Sequence, residues 1–306
     1  MRTMARRFYV LDVFTNQALA GNPLAVVLDA EGLSDARMQG IAREFNLSET
    51  VFVLPPENPA HSAKLRIFTP TKELPFAGHP TVGTAILLAR QRFGDTDDDQ
   101  NAMVVLEEAV GNVRCGVVLK NGAAGFAEFD VPRLARPADP LGDKDIIAAS
   151  LSLEPNEIGF ENHRPSAFES GVAFAFVPVA NLEALSRARP VQAYWQDAYG
   201  GDGGAPVYVY CRQTTTHDGT FSARMFSPGM GIYEDPATGS AAAAFAGVVR
   251  HFDKPTDGTH YLRIEQGYDM GRPSLIDLEL DIEGGALHAA RIGGQAVIVS
   301  KGDLFI

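Results

Sequence analysis

The chain has 306 residues, 45% of them apolar and 21% charged, with a formal net charge of −12. That length exceeds what one compact core usually serves, so two domains of about 150 residues are expected. The negative balance disfavours nucleic-acid phosphate as a partner, and no basic cluster with interleaved aromatics opposes it. No run approaches the roughly 18 apolar residues of a membrane span, and the apolar stretch from Ala241 to Val249 is short and ends at Arg250 and His251.

The basic start Met1 to Arg7 runs into Phe8-Tyr-Val-Leu-Asp12, where the aspartate interrupts any secretory apolar region. A first strand and a cytoplasmic location are expected instead. Cys115 and Cys211 each sit in alternating apolar stretches. They read as buried, inert thiols, not as a disulfide or a nucleophile.

In chain order, Phe8 to Val13 and Leu24 to Leu28 read as strands, the second entered through the turn Gly21-Asn-Pro23. Ser34 to Phe45 is periodic behind a serine and reads as a helix. Thr50 to Leu54 and Lys64 to Phe68 return to strand, and Thr81 to Phe93 is a helix. Gly94 to Asn101, with four aspartates, is an exposed loop. Strands follow over Val104 to Glu107, Asn112 to Leu119 and Gly125 to Val131. Pro132 to Asp145, with three prolines, marks a lobe junction. Beyond it the pattern predicts helices over Asp145 to Ser150 and Asn181 to Arg187, and strands over Val172 to Val177, Val207 to Cys211 and Thr220 to Phe226. A helix from Ala237 to Val249 is followed by strands over His260 to Gln266, Leu275 to Leu280, Leu287 to Ile292 and Gln295 to Leu304. Many short strands with few long helices argue for an α+β fold.

The chain also repeats itself. Arg66-Ile-Phe-Thr-Pro70 recurs 158 residues later as Arg224-Met-Phe-Ser-Pro228, and Gly78-His-Pro-Thr-Val-Gly-Thr-Ala85 recurs 156 residues later as Glu234-Asp-Pro-Ala-Thr-Gly-Ser-Ala241. Each pair of blocks reads as an aromatic strand, a Ser/Thr-Pro turn and a helix opened by proline, whose missing N–H costs nothing there. Small residues, Gly83 and Thr84 in one copy and Gly239 and Ser240 in the other, leave room for a ligand at the first turn. The N–H groups and dipole there favour an anion. In this alignment His79 stands opposite Asp235, each just before the proline, as acid–base chemistry across two facing lobes requires.

Five blocks carry a family resemblance: Asp12-Val-Phe-Thr with Gly21-Asn-Pro23, Asn46-Leu-Ser-Glu-Thr50, Phe76-Ala-Gly-His-Pro-Thr81, Glu234-Asp-Pro-Ala-Thr-Gly-Ser240 and, more weakly, Gln266-Gly-Tyr-Asp-Met-Gly-Arg-Pro-Ser274. The chain resembles the phenazine-biosynthesis PhzF-like family, which has the fold of diaminopimelate epimerase. The resemblance implies two pseudo-symmetric lobes, each a mixed sheet wrapped around a central helix, with the active site between them. The expected division is residues 1–131 for the N-terminal lobe, with 295–306 returning to it, and 132–294 for the C-terminal lobe.

The family's isomerase moves a proton within a small carboxylated ring without a cofactor. Its catalytic residues match Glu49, His79 and Asp235. Its substrate-binding positions match Ser48, Gly78, Gly239 and Ser240, with the substrate carboxylate held at the second helix start. A small carboxylated molecule is the expected partner, with no nucleic acid and no membrane. Family members are often dimers, so a homodimer is expected. No cysteine stands near Asp235, which argues against a two-thiol racemase. An epimerase or racemase, a dehydratase of a small amino or hydroxy acid, and a non-catalytic small-molecule or partner-binding protein are the alternatives. No strand–GxGxxG–helix unit or P-loop is present, Gly200-Gly-Asp-Gly-Gly204 lacks that spacing, and the seven histidines show no metal-ligand spacing. Neither a cofactor nor a metal is therefore expected.

Overall fold

The structure is a computed structural model that describes residues 5–94, 98–120, 124–139, 141–200 and 204–306. The sequence-predicted loops over 94–101 and 200–204, the start of the basic N-terminus and Pro140 of the junction lie partly or wholly outside these residues. The chain divides into two compact units, Met1–Pro132 with Gly293–Ile306, and Arg133–Ile292.

The first unit runs β1 (Ala5–Val13), β2 (Asn22–Val27), α1 (Asp35–Phe45), β3 (Glu49–Leu54), β4 (Ala63–Phe68), β5 (Glu73–Leu74), α2 (Gly78–Phe93), β6 (Gln100–Glu108), β7 (Gly111–Leu119) and β8 (Gly125–Asp130). Ser34 caps α1 by accepting from Arg37 N, and Asn46 ends it in the left-handed region. β4 and β6 to β8 alternate buried and more exposed residues, while β2 and β3 carry continuous buried runs. Helix α2 is buried on every side from Gly78 to Leu87, as expected of a helix a sheet wraps around. Gly83 is a packing residue: a Cβ there would meet Leu24 Cδ2 at 2.7 Å and Val13 Cγ2 at 2.8 Å. Its small size serves the core, which corrects the expectation that it admits a ligand.

The second unit runs β9 (Arg136–Pro137), α3 (Lys144–Ser150), β10 (Ser166–Glu169), β11 (Ala173–Pro178), α4 (Leu182–Arg187), α5 (Gln192–Tyr199), β12 (Val207–Cys211), β13 (Phe221–Ser227), β14 (Ile232–Asp235), α6 (Gly239–Phe252), β15 (Gly258–Gln266) and β16 (Ser274–Glu283). Its α6 is also buried almost throughout. A second core, with Trp195, Leu185 and Ile147 from the three outer helices, packs on Val207, Val209 and Phe226. The last strand, β17 (Ala286–Phe305), is continuous through Gly293 and Gly294 where the sequence predicts two strands. Its second half pairs antiparallel with β1, from Val13 opposite Ala296 to Ala5 opposite Phe305.

Each unit repeats the same order of strand pairings. β2–β3 is parallel, β3–β4 antiparallel, β4–β5 antiparallel, β4–β6 parallel and β6–β7 antiparallel. β11–β12, β12–β13, β13–β14, β13–β15 and β15–β16 follow the same sequence of senses. Arg66 lies opposite Phe52 as Arg224 lies opposite Val209. The repeat read in the sequence is therefore a duplicated topology. Among the described residues, no helix is long and apolar enough to cross a membrane.

Candidate active site

In the first unit, three elements bring four polar side chains together. Gly21, at φ +64 and with Val13 O only 2.3 Å from where a Cβ would stand, turns the chain into β2 and delivers Asn22. The left-handed Asn46 turns the chain out of α1, and Ser48 and Glu49 open β3 beside it, Glu49 opposite Leu24. His79 is the second residue of α2. Ser48 Oγ donates to Asn22 Oδ1 at 3.4 Å, and Asn22 Nδ2 lies 3.4 Å from His79 Nδ1. His79 Nε2 is 3.3 Å from Glu49 Oε2, with the two side chains only 5% and 13% exposed.

This chain of contacts fixes the imidazole. Burial pushes the His79 pKa down to about 3, so the ring is neutral at pH 7. With Ser48 donating to Asn22 Oδ1, the Asn22 amide presents N–H to His79 Nδ1, which accepts. The ring proton therefore sits on Nε2, facing the Glu49 carboxylate. The result is a shielded carboxylate beside a neutral hydrogen-bond donor. Asn22 has no role in the sequence reading, although it stands inside the Gly21-Asn-Pro23 block, which was its only signal.

A second buried carboxyl supports the start of α2. Ala77 occupies the N-cap position and offers no side-chain cap. Thr81 Oγ1 lies 2.8 Å from both Ala77 O and Glu108 Oε1. Burial pushes the Glu108 carboxyl up to about 8, against the opposing effect of the Thr81 hydroxyl, which donates to Glu108 Oε1. Gly78 is the first residue of this helix.

In the second unit, Asp235 ends β14 and is buried at 6% exposure. Thr238 Oγ1 donates to Asp235 Oδ2 at 2.6 Å. Gln266 Nε2 donates to Asp235 O at 2.7 Å, while its Oε1 accepts from Thr238 N. These bonds hold the turn that leads into α6, whose first two residues are Gly239 and Ser240. The N–H groups of a helix's first turn have no intrahelical acceptor and carry the positive dipole end.

Next along β14, Glu234 takes Nε and Nη2 of the buried Arg224 at 2.7 and 2.8 Å. Arg224 Nη1 lies 2.9–3.0 Å from the carbonyls of Leu185, Ser186 and Ala188 at the end of α4. The first unit has the same clamp in Arg66 and Glu73, with Asp35 as the third partner. The repeated arginine was visible in the sequence, but its anchoring role was not.

Two expectations change. Pro80 is the third residue of α2, not its opener, and Pro236 lies ahead of α6 altogether. His79 thus sits in a helix turn and Asp235 at a strand end, so the two are not structural equivalents. The longer β14, four residues where its counterpart β5 has two, and the single turn of 3-10 helix before it, Pro228–Met230, account for the offset. Both cysteines are buried, and burial raises the Cys211 thiol to about 11 and the Cys115 thiol further.

Comparison with known proteins places the chain in a family. The family model described as "Phenazine biosynthesis-like protein" matches residues 11–302. An uncharacterised isomerase of Mesorhizobium japonicum is 55% identical over 304 residues, covering 98% of this chain and 99% of that protein. The trans-2,3-dihydro-3-hydroxyanthranilate isomerase of Pseudomonas aeruginosa is 34% identical over 306 residues, covering 98% and 99%. A crystal structure of a PhzF-family phenazine biosynthesis protein from Bacillus anthracis superposes with a TM-score of 0.87 at 27% identity, over 99% of this chain and all of that one. The fold is the α+β, diaminopimelate epimerase-like one, and the chain belongs to the phenazine biosynthesis-like PhzC-PhzF family and is an isomerase.

Proposed function

We propose that this isomerase moves a proton within a small carboxylated cyclic or amino-acid-like substrate, without a cofactor, and that Glu49 carries the proton. The observation that carries this reading is the Glu49 carboxylate 3.3 Å from the Nε2 of a neutral His79. A carboxylate largely removed from water is a stronger base than a solvated one. It takes a proton from one carbon of the substrate and returns it to another, so atoms balance without a co-reactant. His79, as a neutral donor, hydrogen-bonds the oxygen or nitrogen on which charge builds up, and it does so without a proton transfer of its own. The N–H groups of Gly239 and Ser240 receive the substrate carboxylate. Asp235 accepts from the substrate's amino or hydroxyl group. Ser48 acts by fixing Asn22, and Gly78 by keeping the start of α2 open to the substrate.

Family membership supports trans-2,3-dihydro-3-hydroxyanthranilate as the first substrate to try, since that is what the Pseudomonas aeruginosa relative is named for. The family resemblance also supports a cytoplasmic homodimer, which sedimentation of the purified protein would test. Incubation with this substrate in deuterium oxide, followed by NMR, should give the ring isomer, with turnover lost in Glu49→Gln while binding is kept. Unchanged turnover in Glu49→Gln would sink the mechanism. Deuterium uptake at a single stereocentre without ring isomerisation would shift the assignment to epimerisation.

A further inference from the structure

Tyr208 is fully buried, and its hydroxyl has no hydrogen-bond partner among the described residues. A buried hydroxyl left unpaired is destabilising, and nearly all such groups in native proteins find a partner in protein, water or ligand. Its position in the sheet suggests which. Tyr208 lies directly opposite Met225 on β13, and Met225 directly opposite Asp235 on β14. Directly opposed residues share a face of the sheet, so Tyr208 and Asp235 lie on one face, two strand spacings or about 10 Å apart at their Cα atoms. The Tyr208 ring packs on Phe245 of α6, so this is the face that α6 covers. The phenol's pKa is raised by burial first and by the charge of Asp235 second, which places the two groups within electrostatic reach.

The duplicated ladder supplies an internal control. The corresponding row of the first unit is Val51, Ile67 and Leu74. It is aliphatic throughout. A hydroxyl and a carboxylate replace Val51 and Leu74 together, in the copy that carries the aspartate.

We propose that Tyr208 is a positioning residue for Asp235, its phenol donating through one bridging water to the Asp235 carboxylate. The inference rests on the role given to Asp235 above. The phenol stays protonated across the working pH range, so it is a permanent donor. It holds the carboxylate in one rotamer, together with Thr238.

A mutant cycle of Tyr208→Phe, Asp235→Ala and the double variant tests this by chemical denaturation, alongside turnover of trans-2,3-dihydro-3-hydroxyanthranilate. Tyr208→Phe should weaken the folding equilibrium about fivefold to tenfold. That loss should disappear in the Asp235→Ala background, because the two groups share one bridge. Turnover by Tyr208→Phe should show kcat lowered about tenfold with KM nearly unchanged. A Tyr208→Phe protein as stable as the parent or more so, in both backgrounds, overturns the proposal, because that is how an orphaned hydroxyl behaves. If Asp235→Ala does not fold, a crystal structure of the parent decides: one ordered water within hydrogen-bond distance of both Tyr208 Oη and the Asp235 carboxylate is expected, and its absence overturns the proposal. A parent that does not turn over this substrate counts against the proposed function alone, since the cycle and the crystal still decide the bridge.

Discussion

Glu108 makes stability depend on pH in a way that one substitution should expose. In the unfolded chain its carboxyl ionises near 4.5, whereas in the folded protein burial holds it protonated up to about 8. Between those values the folded state binds one proton more than the unfolded state. The associated stability is therefore fully present below about pH 4.5 and is lost as pH rises through about 8. Each unit of separation is worth 1.36 kcal/mol, so the difference between 4.5 and 8 sets a ceiling of roughly 5 kcal/mol. Glu108→Gln keeps the shape and can still accept from Thr81, but it has no proton to lose. Urea denaturation of both proteins at about pH 5 and about pH 8.5 should show the variant gaining on the parent by several kcal/mol at the higher pH. A gap that is the same at both values would mean that Glu108 is solvated and titrates as it does in the unfolded chain.

Three further outcomes follow from the packing and the hydrogen bonds. Asn22→Asp places a carboxylate on His79 Nδ1 and should raise the imidazole pKa from about 3 by roughly 2 units or more; NMR titration of the ring reads this directly, and an unmoved pKa would show that Asn22 does not set the tautomer. Arg224→Met leaves Glu234, 9% exposed, without its partner and should cost about 3–5 kcal/mol. Arg66→Met removes the same clamp where Glu73 and Asp35 are 39% and 83% exposed and should cost about 1 kcal/mol, so equal losses in denaturation would refute the role of burial. Gly83→Ala drives a methyl into Leu24 and Val13 and should lower stability by about 1–3 kcal/mol, seen as a fall in Tm.

Much of this architecture was legible because two periodicities dominate it. β4 and β6 to β8 alternate, α1 announces itself by Ser34, and the recurrence of Arg66-Ile-Phe-Thr-Pro70 gave away the duplication. The segments missed are short or irregular. β14 has four residues behind Pro228-Gly-Met-Gly231, so turn chemistry hid the strand that carries Asp235. α5 buries Trp195, Ala198 and Tyr199 at helical spacing, but its eight residues stand between a proline and a glycine-rich segment. Gly293 reads as a break in β17, yet its lack of a side chain is what lets Phe126 and Glu128 come close: a Cβ there would meet Phe126 Cζ at 2.8 Å. Asn22 could not be assigned a role from sequence, because the role exists only once α2 and β3 bring His79 and Ser48 to it.

The duplication also separates scaffold from chemistry more sharply than either copy alone. What the two units hold in common is mechanical: the order of ladder senses, the buried central helix, and an arginine that clamps a glutamate on the next short strand. What differs is polar and buried. The first unit invests its burial in a neutral imidazole beside a carboxylate, with Asn22 choosing the tautomer. The second invests it in an aspartate held by Thr238 and Gln266 at the mouth of a helix. Matching the two by sequence put His79 opposite Asp235, but the fold places them on different kinds of element, so the pair cannot be two copies of one catalytic group. Equivalent groups suit a racemase, which must present a base to each face of one carbon. Non-equivalent groups suit a reaction in which one base both takes and returns the proton, while the other polar groups hold the substrate still. The asymmetry of the buried polar residues is thus what the proposed single proton-carrying base requires.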